Sequence, residues 1–169
     1  MAVVQQIIRD PFERFAELER LVSKVYFRFS HLFLHHKELR DFWWQMAKEE
    51  EQHACILLAC KAIVDNFPEN SIQPIVVEGK AVQLETQINT YLSKGTPSID
   101  VEDAFKIALE IESSELDAIY GVLLNSCGPE IAKTMEHVGV PASVQRRKLA
   151  AAVNRFTSDP ELRAAAEIL

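Results

Sequence analysis

A glutamate and a histidine lie three residues apart, at Glu50 and His53, in the middle of an apolar stretch of the chain. Residues three, four and seven positions apart share one face of an α-helix. The other residues on this face are apolar: Trp43, Met46, Ala47, Ala54, Leu57 and Leu58. Both side chains are therefore predicted to point into the core, where a carboxylate must be protonated, paired or bound to a cation. A carboxylate and an imidazole in such a place are typical of metal ligands.

The acids on either side of Glu50 have more polar helical neighbours. The face through Glu49 includes two glutamines, and the face through Glu51 includes Lys48. We therefore expect Glu49 and Glu51 to lie near the solvent edge of the helix.

Two more glutamates interrupt apolar faces elsewhere in the chain. Glu19 and Glu112 each share a helical face with large apolar side chains, whereas Glu110 lies among polar residues that include Asp117. The neighbours of Glu19 are Phe12, Phe15, Val22, Tyr26 and Phe29, and those of Glu112 are Phe105, Ala108, Leu109, Leu116 and Ile119. Glu19 and Glu112 are predicted to point inward, with Glu115 one turn beyond Glu112.

The segments that must position these side chains all have helical patterns. Caps such as Asp10 with Pro11, and Asp100 with acids in the following turn, start helices, and prolines and glycines end them. The predicted helices are A from Asp10 to about His35, B from Lys37 to Asn66, a connecting helix from Glu78 to Leu92, C from Asp100 to Asn125, D from Ala142 to Phe156, and a short last helix that starts at Asp159-Pro160. No strand alternation interrupts them, so the predicted fold class is all-α.

Length and composition limit the possible functions. The chain has 169 residues, 48% of them hydrophobic, and a net charge of −7. We predict a single domain over residues 1–169, and the negative charge argues against nucleic-acid binding. No segment is long and apolar enough for a membrane span or a signal peptide. Three cysteines without a metal-binding spacing favour a reducing compartment, and we expect a cytoplasmic protein.

The inward acids occur in a pattern that resembles rubrerythrin and the wider ferritin-like superfamily. The segments that carry the resemblance are Glu19…Tyr26, Glu50-x-x-His53-Ala54 and Glu112-x-x-Glu115…Tyr120. It implies an antiparallel four-helix bundle with a connecting helix between B and C and a short C-terminal helix. It also implies iron bound by Glu19, Glu50, His53, Glu112 and Glu115, with Tyr26 and Tyr120 beside these ligands. The cysteines of a rubredoxin domain are missing.

Helix D departs from the family pattern, which has a second Glu-x-x-His there. Gln145 and Lys148 occupy the corresponding positions. An amide is a weak neutral ligand and an ammonium repels a divalent cation. We therefore expect Lys148 to take the place of the second metal and to pair with Glu112 or Glu50, so that the site holds one ion or none.

Two functions follow from this pattern. The first is an iron-binding protein of the rubrerythrin type, with peroxide-reducing oxidoreductase or ferroxidase activity. Such a protein would form a homodimer and receive electrons from a donor protein. Manganese or zinc are alternative metals. The second is a non-catalytic bundle that acts as a structural or protein-interaction module. In the second case Glu50 and His53 are a hydrogen-bonded structural pair.

Overall fold

A computed structural model of the protein describes residues 10–66, 74–93, 99–114 and 116–169, with the backbone alone at 74–77. These residues form α-helices and no strand, which confirms the all-α prediction. The helices are α1 Pro11–Leu32, α2 Lys37–Val64, α3 Pro74–Ser93, α4 Val101–Glu112, α5 Leu116–Ser126, α6 Pro129–Val138, α7 Ala142–Phe156 and α8 Pro160–Glu167.

The predicted caps begin the helices where the sequence placed them. The Asp10 carboxylate accepts hydrogen bonds from the backbone N–H groups of Phe12 and Glu13, at 3.0 and 3.1 Å. Asp100 and Asp103 form a reciprocal capping box at the start of α4. Side-chain acceptors of this kind satisfy backbone donors that have no partner within the helix.

Helices α1 and α2 form a hairpin with extensive contact between them, and α3 packs on α1. Helix α5 contacts both members of the hairpin, while α4 packs on α7 and α8. Trp43 is buried within this arrangement, as its place on the apolar face of Glu50 predicts, and the adjacent Trp44 is exposed. None of the helices in the described ranges combines the length and apolarity needed to cross a lipid bilayer.

Arg14 attaches α3 to α1. Its guanidinium is buried, and its Nη2 lies 2.5 Å from Oε2 of Glu85 while its Nε lies 3.3 Å from Oε1 of Glu78. Glu17, one turn along α1, lies 3.6 Å from the same guanidinium. One buried cation is thus surrounded by three carboxylates.

The prediction of one continuous helix C from Asp100 to Asn125 is wrong. Helix α4 ends at Glu112 and α5 begins at Leu116. The Ser114 hydroxyl accepts a hydrogen bond from the Leu116 N–H at 3.3 Å. Such side-chain bonds compete with the helical hydrogen-bond pattern, and two successive serines make this competition effective. Glu115, a predicted ligand, lies outside the described residues.

Candidate metal centre

Four helices bring polar side chains to one place in the core. The buried groups are Glu19 from α1, Glu50 and His53 from α2, Glu112 from α4 and Gln145 from α7. The inward orientation predicted for the three glutamates and the histidine is therefore confirmed. In each case the sequence signal was a polar residue on an otherwise apolar helical face.

Glu19, Glu50 and His53 form the tightest group. One ligand atom of each lies within 4.8 Å of the other two. Oε1 of Glu19 is buried and accepts no hydrogen bond. Metal–ligand distances in such sites are about 2.0–2.2 Å, so two ligand atoms of one ion lie at most about 4.4 Å apart. A small movement of these side chains therefore suffices to place all three around a cation.

The hydrogen bonds of His53 fix which ring nitrogen faces the acids. Nε2 lies 2.8 Å from the carbonyl oxygen of Val140, and Nδ1 lies 3.2 Å from Oε2 of Glu50. Because a carbonyl can only accept, Nε2 must carry a hydrogen. Nδ1 and the Glu50 carboxylate then share either a proton or a cation.

In the absence of a cation the shared species is a proton. Burial alone would lower the pKa of His53, but its hydrogen bond to Glu50 and the charge of Glu50 outweigh burial and raise the pKa to about 9. The ring is then an imidazolium at neutral pH, paired with the Glu50 carboxylate.

The other two glutamates are shifted toward their neutral forms. Burial, followed by the negative charge of Glu50 and a hydrogen bond to it, raises the pKa of Glu19 well above its ordinary value. Burial and the charge of Glu50 also raise the pKa of Glu112. Like charges in one apolar space cannot all ionise, so the cluster holds protons unless a cation replaces them.

Gln145 contacts Glu50, as expected of a residue at the predicted second half of the site. Its Nε2 donates to Oε1 of Glu50 at 2.5 Å, and its own Oε1 is buried with no hydrogen-bond partner. Both oxygens of Glu50 therefore have partners, Gln145 on one and His53 on the other.

The predicted partner of Lys148 is wrong. Its ammonium donates to Oε1 of Glu49 instead of Glu50 or Glu112, and the same oxygen accepts a bond from Gln45 at 2.9 Å. Glu49, expected near the solvent edge, is 0% exposed. Helix α2 is covered by α1 and also contacts α5, so it has more than one buried face.

Both predicted tyrosines lie at the edge of the cluster. The Tyr26 hydroxyl donates to Oε1 of Glu112 at 2.6 Å. The Tyr120 ring lies 4.8 Å from that of His53, measured between centroids. Burial raises the pKa of both phenols, so both keep their protons at neutral pH.

Asp117 is a site residue that the sequence reasoning assigned to a polar face. Burial and the charge of Glu50 raise its pKa to about 6, although Arg146, with Nη1 at 3.7 Å from its Oδ2, acts in the opposite direction. Because α4 and α5 are separate helices, Asp117 does not share the helical face of Glu110. In the sequence, the consecutive serines Ser113 and Ser114 are the signal that indicates a break in the helix.

Comparison of the chain with models of known protein families, with curated proteins and with solved structures gave no match. Function must therefore be inferred from the chemistry of the site itself.

Proposed function

We propose that the protein is a ferritin-like, rubrerythrin-type metal-binding protein that holds one divalent cation between Glu19, Glu50 and His53. The observation that carries this proposal is the spacing of their three ligand atoms, within 4.8 Å of one another. Two carboxylates and one imidazole suit iron(II), manganese(II) or zinc(II). Iron is the metal implied by the resemblance to rubrerythrin.

The surroundings of His53 support a role as a ligand. Metal-binding histidines usually donate the N–H of their other ring nitrogen to a carbonyl or carboxylate, which orients the ring. The bond from Nε2 of His53 to the Val140 carbonyl has this form. Nδ1 is left facing Glu50, where a cation would replace the proton that the two groups otherwise share.

A single ion fits the ligands better than two. A second ion near Glu112 would have Glu112, a shared Glu50 and the neutral amide of Gln145, which is a weak ligand. Lys148 does not occupy this position, because it binds Glu49. The missing carboxylate and imidazole on α7 are the reason to propose a mononuclear site.

A single iron ion in this site would supply one electron as iron(II) becomes iron(III), and the second electron for reduction of a peroxide would come from the electron-donor protein. In a ferroxidase reaction the iron(II) would itself be the electron donor to oxygen. The chain contributes a buried environment, and the hydrogen bond from Tyr26 holds Glu112 beside the proposed ligands. The proposal includes a homodimer and an electron-donor protein. Exposed aromatic rings of Phe27 and Trp44, with centroids 5.3 Å apart, offer a surface for a protein contact.

A second candidate is a non-catalytic bundle. It is favoured by the partners of Glu50, whose two oxygens are bound by Gln145 and His53 without any cation. In that case the imidazolium and carboxylate are a buried ion pair of structural use only.

Metal stoichiometry after anaerobic iron(II) loading separates the two candidates. We expect about one tightly bound ion per chain in the wild type and none in Glu19→Gln, which removes one charged ligand. Because burial and the charge of Glu50 shift the Glu19 carboxyl toward its neutral form, the neutral amide of similar volume is the conservative replacement. Glu17→Gln, on the exposed face of the same helix, is the matched control. Two ions per chain would contradict the mononuclear site, and no ion would favour the non-catalytic bundle.

A further inference from the structure

Two surface cavities meet the first turn of α5 at Asp117. The larger, about 450 Å³, is lined by residues that include Glu112, Ser113, Asp117 and Arg146. The smaller, about 200 Å³, is lined by Asp117, Tyr120, Val140 and Ala142 among others. Neither cavity is lined by Glu19 or Glu50. Asp117 lines both, and it lies close enough to the candidate metal centre for the charge of Glu50 to raise its pKa.

The Asp117 carboxylate is only loosely held. Its side chain is 12% exposed, and its Oδ2 has no hydrogen-bond partner. The opposite charge recorded beside it is the guanidinium of Arg146, which is 34% exposed and 3.7 Å away. At that distance the two side chains attract each other without a hydrogen bond. Oδ2 is thus a buried carboxylate oxygen without a hydrogen-bond partner, on a residue that lines both cavities, and a cation that reached it would satisfy it.

The charge of Asp117 also acts on the buried cluster. It contributes to the electrostatic environment of Glu19, Glu112 and His53. A cation bound at Asp117 would thus be attracted onward by Glu50 and, once protons leave, by the other acids. Glu112 lies on the same cavity wall and is the next carboxylate inward.

We propose that Asp117 is the entry residue through which a divalent cation reaches the Glu19–Glu50–His53 centre, and that Arg146 competes with the incoming cation for it. This inference rests on the proposed metal-binding function. A carboxylate at the mouth of a cavity concentrates cations there and raises their association rate. Arg146 lowers that effect for as long as its guanidinium stays beside Asp117.

The test is the kinetics of metal binding to the full chain, with Co²⁺ alone as the probe, followed by its visible absorbance in a stopped-flow instrument. We expect Asp117→Asn to lower the association rate constant by about tenfold, with a dissociation rate that falls or stays the same. Glu130→Gln removes one negative charge from the exposed start of α6 and is the matched control. Arg146→Gln should raise the association rate, whereas the neighbouring exposed Arg147→Gln should not.

Each outcome decides a different question. Equal association rates in Asp117→Asn and Glu130→Gln, with Co²⁺ still bound, would overturn the entry role and leave the proposed function standing. Faster dissociation without slower association would also overturn it, because Asp117 would then be a permanent ligand. A wild type that binds no Co²⁺ would overturn both proposals. If Asp117→Asn does not fold, as checked by circular dichroism, an unchanged rate in Arg146→Gln would contradict the proposal.

Discussion

The protein contains two groups of buried charge that are built in opposite ways. At Arg14 one cation is surrounded by carboxylates from α1 and α3. At Glu50 a carboxylate is surrounded by further acids, with one histidine as the available cation. The acids of the first group are partly exposed, so water solvates the negative charge that Arg14 does not neutralise. The second group is buried and must take up protons or a cation, a property that favours a binding site over a structural contact.

The sharpest contrast concerns pH. The pKa of His53 is about 9 in the folded protein and lies near 6.5 when unfolded, so its stabilising effect is complete below pH 6.5. It is lost as pH rises through 9, which we expect to lower the free energy of unfolding of the metal-free protein by roughly 3 kcal/mol. The raised pKa values of Glu19 and Glu112 act in the same direction. Urea unfolding at successive pH values measures this loss, and stability that rises over this range would contradict the assignment.

Removal of the Arg14 cation tests the other group. Arg14→Ala leaves acids on α1 and α3 without their counter-charge, and we expect a loss of about 2–3 kcal/mol in the free energy of unfolding. The loss is below that of a fully buried pair because Glu85 is 38% exposed. Metal binding should be unchanged. Arg20→Ala is the control: Arg20 lies on α1 like Arg14 and forms an exposed pair with Glu51 of α2, so its removal should cost under about 1 kcal/mol.

Addition of a cation should affect the acidic group alone. At ten times the dissociation constant of Mn²⁺, binding to the native state should add about 1.4 kcal/mol to the free energy of unfolding. Glu19→Gln should gain nothing from the ion, although its metal-free stability stays close to that of the wild type. Thermal unfolding with and without a chelator reports both quantities. An equal gain in Glu19→Gln would mean that the ion binds elsewhere.

The smallest effect on metal binding is expected at Lys148. Lys148→Met leaves the carboxylate of Glu49, which is 0% exposed, without its cation, and we expect a loss of about 1–2 kcal/mol in the free energy of unfolding, limited by the remaining hydrogen bond from Gln45. The number of metal ions per chain should not change. An increase to two ions on elemental analysis would restore the original expectation that this ammonium occupies a second metal position.

Helix starts and inward acids could be predicted because their signals are local. Asp10 and Asp100 are recognised by a cap and its neighbours, and Glu19, Glu50 and Glu112 by an acid on an apolar face. Glu49 could not be placed in this way, since its burial depends on how many helices cover α2. The partner of Lys148 depends likewise on the rotation of α7 against α2, for which no local pattern exists.

The break in the predicted helix C shows a different limit. Apolar residues continue at helical spacing from Leu109 to Leu116 and Ile119, so periodicity alone favours one helix. The hydroxyl of Ser114 instead accepts a backbone hydrogen bond and ends that regularity. Asp117 was therefore assigned to the wrong face.

Because of this break, α4 and α5 can change in sequence independently of each other. In an unbroken helix, the insertion or loss of one residue rotates everything beyond it by about 100° and would misplace every inward side chain that follows. Here Glu112 belongs to one rigid unit and Asp117 to the next. Changes around Asp117 can therefore accumulate on α5 while Glu112, on α4, keeps its hydrogen bond from Tyr26.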